Sequence, residues 1–464
     1  MIRLFLYPLL VLPGCLAAHK SIVLKDIPHI EQKPDFCGEA CTAMVLNHLG
    51  KTHTQEDVYD ASGLDPLQGR GCYTRELKSA LVELGFEPGK TWFKVPAAKA
   101  QAEMNKQFAA VHQGLLRGTP SILCMHYDDR APSTEHFRLV VGYDAKTDEV
   151  IYHEPAIPDG AYQRMKRSML YKLWPLKYDR ANWTVIRMEL KPGRLKDPSP
   201  GKSFSDADYA QHIRALKKRL PGDDFHILLQ RPFVVIGDEK PETVKARAEK
   251  TVQWATEHLK KQYFEKDPEH ILDIWLFKDA KTYNTYNRKM FGGSPTTPFG
   301  YYSRRYRALV MNIGTGGGTL VHELVHPFME SNFPGYADWF NEGLASLYEQ
   351  CGERNKQIVG FTNWRLAGLQ QAIRDGKVPS FKTLCHMTTD EFYHRDRGTN
   401  YSQARYLCYY LQEKGLLQKY YHTYRAHAKE DPGGYETLKQ VLGQKDMKAF
   451  QKNWETYVAG LRFR

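Results

Sequence analysis

The chain has 464 residues, 42% of them hydrophobic, and a formal net charge of +12 from 65 Lys and Arg against 53 Asp and Glu. That length exceeds what one hydrophobic core holds and predicts two or three domains, while the apolar content excludes a disordered or collagen-like chain. The basic residues are spread along the sequence without a nucleic-acid reading motif, so the charge favours acidic proteins, cell-wall polymers or anionic surfaces over nucleic acid.

Residues 1–18 read as an export signal, with Arg3 ahead of the apolar stretch Leu4 to Leu12 and small residues at Ala17 and Ala18. They are too short to remain as a membrane span. Leu12-Pro13-Gly14-Cys15 also approximates a bacterial lipoprotein box. The expectation is a secreted or periplasmic protein, with lipid anchoring through Cys15 as the alternative.

The next informative stretch runs from Gln32 through Cys37 to Gly50. Apolar Met44, Val45 and Leu49 have helical spacing and Gly50 is a natural terminator, so Cys37 sits at a helix start. There the helix dipole and unpaired N–H groups favour thiolate over thiol. Gln32 is placed to donate its amide to an oxyanion. A base and an orienting acid come from a hairpin: His136 begins the strand ending at Tyr143, Glu154 ends the next, and residues 145–148 turn between them. If Tyr143 pairs with Glu149, alternation puts His136 and Glu154 on one face and His153 on the other. Should Cys37 be a nucleophile, six cysteines remain after Cys15 is set aside with the leader, an even number that permits disulfides.

Gln32, Cys37, His136 and Glu154 in this order resemble the papain-like cysteine peptidases that process double-glycine leaders of bacteriocins. The resemblance covers about Ile27 to Leu190, including a closing strand from Trp183 to Leu190. It implies a papain-like fold and a Cys-His-acid site. The sequence departs from the pattern in the five-residue step from Gln32 to Cys37, in Glu154 where Asp is usual, and in Glu39 after Cys-Gly.

A Pro-, Gly- and charge-rich segment at residues 193–205 reads as a linker. Beyond it, Ala207 to Leu220 reads as a helix, and Phe233–Ile236 and Ile271–Phe277 as strands flanking a helix from Pro241 to Phe264. The strand Arg307 to Ile313 and the glycine stretch 314–318 lead into His322-Glu323-Leu324-Val325-His326, with Thr319 as the expected helix cap. No Gly-Lys-Ser/Thr follows those glycines, which excludes a phosphate loop; close approach of a peptide backbone is their expected use. Residues four apart share a helix face, so both imidazoles can reach one ion, and Glu323 lies beside them to take a proton from water. Glu342, on the next helix after the turn at Asn332-Phe333-Pro334-Gly335, is the expected third ligand. Two imidazoles and one carboxylate suit zinc and leave a coordination position for water.

The segment from about Phe225 to Leu411, with Trp339-Phe340-Asn341-Glu342-Gly343-Leu344-Ala345, resembles a gluzincin of the HExxH metallopeptidase clan. The resemblance implies a mixed sheet over the zinc helix, peptide-bond hydrolysis by zinc-activated water, and an open edge of the strand 307–313 along which extended substrate pairs. Many gluzincins place an acid four residues after the third ligand; Ser346 stands there in this chain, so a partner for the zinc histidines is expected elsewhere. Tyr401, opening a helix that runs to Leu411, is a candidate transition-state donor. Past Glu349 the chain reads as largely helical to Val458.

The expected fold class is α+β: signal peptide 1–18, papain-like cysteine peptidase domain 19–192, linker 193–205, and zincin-like domain 206–464 with a helical C-terminal part. The expected function is hydrolysis of a protein or peptide substrate, acidic or wall-linked, by Glu323 and zinc in the second domain and by Cys37, His136 and Glu154 in the first. Two alternatives stand beside it. In one only the zinc domain is catalytic and the first domain binds peptide or regulates; in the other both are interaction modules with a structural metal.

Overall fold

The computed structural model describes residues 19–198, 203–295, 297–395 and 398–463. The expected signal segment and Cys15 lie outside them. The chain divides into two compact units at residues 217 and 218.

Unit 1 is built on an antiparallel sheet. Its strands are β1 (Ile22–Val23), β2 (Trp92–Pro96), β3 (Ser121–His126), β4 (Glu135–Asp144), β5 (Glu149–His153), β6 (Gln163–Lys166) and β7 (Asn182–Glu189). They run in the order β2-β7-β3-β4-β5-β6, with β1 on β4. Strand alternation sends Ile122, Phe137, Leu139 and Val141 to one apolar cluster and Leu123, Met125, Val140 and Tyr143 to another. Helices α1 (Cys37–His48), α2 (Gln55–Ser62) and α3 (Thr74–Glu83) complete the first cluster; α4 (Ala100–Leu116) and α5 (Arg167–Leu173) complete the second. Met44 and Val45 of α1 are buried as their spacing predicts, but Leu49 is exposed, because the helix has ended at His48 and Gly50 turns the chain with φ 77°.

The helix expected after the linker is α6 (Asp206–Lys217), and it packs within unit 1. Ala207 and Ala210 enter the α1 cluster, the Ala207 N–H donates to Asp60 Oδ1 at 2.9 Å, and Arg214 pairs with Asp35 at 2.5 Å. The break between units therefore falls after α6 in this structure rather than before it.

Unit 2 holds a five-stranded mixed sheet of β8 (His226–Gln230), β9 (Phe233–Gly237), β10 (Leu272–Phe277), β11 (Gly300–Ser303) and β12 (Ala308–Asn312), in the order β11-β12-β10-β9-β8. β9, β10 and β12 run parallel and are buried throughout, which is why they read as unbroken apolar runs; β8 and β11 are antiparallel edges. The helix expected from Pro241 onward is α7 (Pro241–Arg247) and α8 (Trp254–Gln262), joined by a π segment at 248–253. It packs on one sheet face with α10 (Gly318–Asn332) and α11 (Asp338–Leu347), while α9 (Ala280–Met290) sets Tyr283 and Tyr286 against Phe277 on the other.

After α11 comes a hairpin, β13 (Cys351–Arg354) and β14 (Gln357–Gly360), and then helices α12 (Arg365–Arg374), α13 (Phe381–Cys385), α14 (Thr389–His394) and α15 (Thr399–Glu413), with three more to Gly460. Among the described residues no helix is long and apolar enough to cross a membrane. All seven described cysteines are free thiols.

Two expectations about the approach to α10 fail. Thr319 does not cap the helix: it lies inside α10, and the cap residue is Gly317, which makes no side-chain cap hydrogen bond. The strand 307–313 has no open edge, because residues 304–307 fold β11 back onto β12, which is paired on both sides. The edge strand is β11.

Candidate active sites

In unit 2 the buried residues His322, His326 and Glu342 offer ligand atoms that all lie within 4.8 Å of one another. Helical spacing brings the imidazoles together, with ring centroids 5.0 Å apart, and α11 brings the carboxylate. Glu342 Oε2 is buried and lies 3.3 Å from His322 Nε2, yet among the described residues it makes no hydrogen bond. Tyr393 donates to its other oxygen at 2.8 Å. Although burial opposes ionisation, His326 and His322 hold the Glu342 carboxyl at about 2. An orphaned carboxylate oxygen between two imidazoles is a donor set that a small divalent cation satisfies.

Glu323 stands outside this group. Its Oε2 accepts the Tyr302 N–H at 2.9 Å and lies 3.8 Å from His326 Nε2. Burial pushes its carboxyl upward from the ordinary range. The edge strand β11 therefore fixes the orientation of this acid.

The partners of the two histidines, absent at Ser346, lie on either side of it. His322 Nδ1 is 3.3 Å from Glu349 Oε1, and His326 Nδ1 is 3.1 Å from Asn341 Oδ1. Glu349 is gripped by the Arg365 fork at 2.7 and 2.9 Å and by Asn363 Nδ2 at 3.1 Å. Burial opposes its ionisation, but Arg365 and His322 hold its carboxyl at about 2. Sequence reasoning missed Glu349, which lies two residues beyond the end of α11, where helical spacing gives no signal for it. It missed Tyr393 as well.

The cleft above these residues has a volume of about 1170 Å³ and runs between β11, residues 315–319, α10 and α11. Tyr401 lines it. Gly316, Gly317 and Gly318 line this cleft, and Gly318 also makes a close approach within the fold. A Cβ on Gly318 would stand 2.1 Å from the Glu349 carbonyl oxygen, so the close approach is internal and keeps the start of α10 against the residue that supports His322.

In unit 1 a cleft of about 1120 Å³ is lined by Gln32, Cys37 and His136, along with exposed Tyr73 and Tyr178. Cys37 is the first residue of α1 as predicted. Its thiol does not behave as a helix start alone would dictate. Burial pushes it up to about 12, with backbone hydrogen bonding at Phe137 offsetting this in part and the Glu39 charge adding to it. A thiolate at neutral pH therefore needs an imidazole to hold its proton.

His136 Nε2 meets Glu154 Oε1 at 2.5 Å, which leaves Nδ1 outside that bond. Glu154 Oε2 accepts Arg138 Nε at 2.6 Å. Burial would raise the Glu154 carboxyl, but His136 and Arg138 hold it below the ordinary range. The register at the end carrying His136 and Glu154 is the one expected, and it differs only toward the turn. Tyr143 pairs with Val150 and Asp144 with Glu149, one step off; a bulge between Val140 and Gly142 absorbs the step, so Leu139 meets His153. Beyond the bulge the expected alternation holds, and His153 turns away to sit edge-on to Tyr162.

Gln32 is half-buried, and among the described residues its Oε1 has no hydrogen-bond partner. From the sequence alone Glu39 is no more than a departure from a pattern. It is fully buried, accepts the Cys72 N–H at 2.7 Å, and burial pushes its carboxyl up to about 7.

Residues 24–181 match the family model described as Peptidase_C39 like family. Among solved structures the chain is similar to the peptidase domain of Streptococcus ComA, described as a bi-functional ABC transporter involved in a quorum-sensing pathway. The two are 15% identical over 36% of this chain and 99% of that domain, with a TM-score of 0.23. No curated protein matches the chain. Residues 24–181 thus form an N-terminal Peptidase_C39-like domain, within which Gln32, Cys37, His136 and Glu154 all fall.

Proposed function

We propose that this chain is a peptidase with two catalytic sites, a cysteine site in unit 1 and a zinc site in unit 2. The cysteine reading rests on the 2.5 Å contact of His136 with Glu154 in the cleft that Cys37 lines, inside the segment with a C39-like match. In it His136 takes the thiol proton, Cys37 Sγ attacks the peptide carbonyl, and Gln32 donates to the oxyanion. His136 then returns the proton to the leaving amine, and water releases the thioester.

The zinc reading rests on the convergence of His322, His326 and Glu342 around an unpartnered carboxylate oxygen. Zinc held by these three would supply Lewis acidity toward a water molecule and a peptide carbonyl. Glu323, held by the Tyr302 N–H, accepts the proton of the attacking water and passes it to the leaving nitrogen. Tyr401 stands in the cleft wall as donor to the developing oxyanion. The basic, apolar opening of the sequence supports an exported enzyme.

A second reading, in which only the zinc site is catalytic and unit 1 binds peptide, takes its support from half-buried Cys37, whose surroundings push its thiol up and away from the reactive thiolate. A peptide-library digest by the intact protein, Cys37→Ala and Glu323→Gln separates the two. Two working sites give cleavages that each variant loses selectively. Cleavage unaffected by Cys37→Ala moves the assignment to the second reading, and no cleavage by the intact protein on peptide, acidic-protein or wall-peptide substrates sinks both.

A further inference from the structure

The acid that orients His136 is not a lone carboxylate. Glu154 Oε1 takes His136 and the Ala156 N–H, at 2.5 and 3.1 Å, and Oε2 takes Arg138 Nε at 2.6 Å. Arg138 is 5% exposed. Its other nitrogens donate to the carbonyls of His126 and Tyr127 at 3.3 and 2.8 Å, and its guanidinium lies over the rings of Tyr127 and Tyr152. A buried arginine is costly unless its charge is matched, and the charge that matches this one is the carboxylate that orients the candidate base.

We propose that Arg138 is a positioning residue of the cysteine site: it cancels the charge of Glu154, so that the carboxylate orients His136 much as a neutral amide would. The inference rests on the reading of Cys37 as nucleophile. Activation breaks the Cys37 S–H bond and forms an N–H bond at His136 Nδ1, leaving a thiolate beside an imidazolium. An unmatched carboxylate nearby would hinder proton loss from the thiol and prolong proton retention by the imidazole, moving the whole active window to higher pH. Arg138, two residues along β4 and on the same strand face as His136, keeps that window low.

The other groups near this cluster come from separate elements. Cys41 and Glu39 come from α1, and His29 bonds the Glu154 carbonyl at 2.8 Å from the N-terminal segment. Tyr127, edge-on to His136 at 5.2 Å, and His126 follow from β3, and Tyr152 comes from β5.

The test is the pH dependence of iodoacetamide alkylation at Cys37 in the full chain, read by mass spectrometry of the Cys37 peptide. Wild type should show an acid limb well below the range of an ordinary thiol. Arg138→Met should move both limbs to higher pH by about one unit or more. Glu154→Gln should move them to lower pH, and the double variant should return toward wild type. Arg138→Lys, which keeps the charge and loses the fork, should keep the limbs and lower only the rate. Limbs that stay in place in Arg138→Met while the rate falls would reduce Arg138 to a structural role and overturn the proposal. If Arg138→Met does not fold, Glu154→Gln decides, since unmoved limbs there overturn it equally. A wild-type profile with no acid limb sinks the nucleophile reading itself and the proposal with it.

Discussion

Glu323 and His326 lie one helical turn apart and are assigned opposite tasks, one moving a proton and the other holding an ion. Because Glu323 stands outside the donor group and is fixed by the Tyr302 N–H, Glu323→Gln should retain metal while hydrolysis falls by several orders of magnitude. Metal analysis alongside cleavage assays checks this, and loss of zinc in that variant would reverse the assignment. Glu349 acts one step further out. Removing it in Glu349→Ala takes away the carboxylate 3.3 Å from His322 Nδ1 and leaves half-buried Arg365 without its anion, so zinc affinity should fall by about 10- to 100-fold in a chelator competition. Unchanged affinity would mean the contact is incidental. In unit 1, Glu39 carries a pH signature. Burial raises its carboxyl in the folded state to about 7, above the ordinary carboxylate range, so the folded state binds the proton more tightly than the unfolded one. Its contribution is therefore present at low pH and lost as pH rises through that window. Glu39→Gln keeps an acceptor for the Cys72 N–H, and its advantage in thermal midpoint over wild type should grow between pH 5 and pH 8. A difference independent of pH would show that Glu39 is not the titrating group.

At the scale of elements, the site depends on how closely helices approach. A Cβ at Gly343 would stand 2.9 Å from the Ala404 carbonyl oxygen and 3.0 Å from Cys408 Sγ, so the glycine after the third ligand lets α11 lie against α15. Gly343→Ala should destabilise unit 2 by about 1–3 kcal/mol through overpacking, seen as a lower thermal midpoint, and should weaken metal binding by displacing Glu342. A variant as stable as wild type would show that the helices can move apart freely. This packing also explains what the sequence made legible. His322, Glu323 and His326 are related by helical spacing, a local property, and so can be read without a fold; Glu342 is nearly local, one turn and one helix away. The buried parallel strands are visible as apolar runs. Glu349, Asn341 and Tyr393 could not be ranked from spacing alone, because each acts through a contact that exists only once α10, α11 and α14 are packed. The short edge strand β11, four residues of Gly, Tyr and Ser, carries no apolar alternation, and so the open edge was assigned to its interior neighbour. In unit 1 the hairpin of β4 and β5 was legible, but its bulge was not, since nothing in Val140-Val141-Gly142 requires an extra residue until the two sheet faces compete for it.

At the scale of the whole molecule, the two chemistries proposed for the two compact units are unlike, and each should answer to its own perturbation. The cysteine site is consumed by alkylation, whereas the zinc site is emptied by a chelator. A metal that binds only the folded state stabilises it by mass action, about 4 kcal/mol at a thousandfold excess over its dissociation constant. Here it would join α10 to α11 through His322, His326 and Glu342. Chelation should therefore lower a thermal transition belonging to unit 2 and abolish the Glu323-dependent cleavage, while the transition of unit 1 and any Cys37-dependent cleavage persist. Calorimetry of the full chain with and without chelator, repeated on the alkylated protein, measures both effects. If chelation shifts both transitions equally, the units unfold as one and the independence of the two sites fails. If it shifts neither, the three-residue donor set holds no metal that matters to the fold, and the zinc assignment must stand on the fate of cleavage alone.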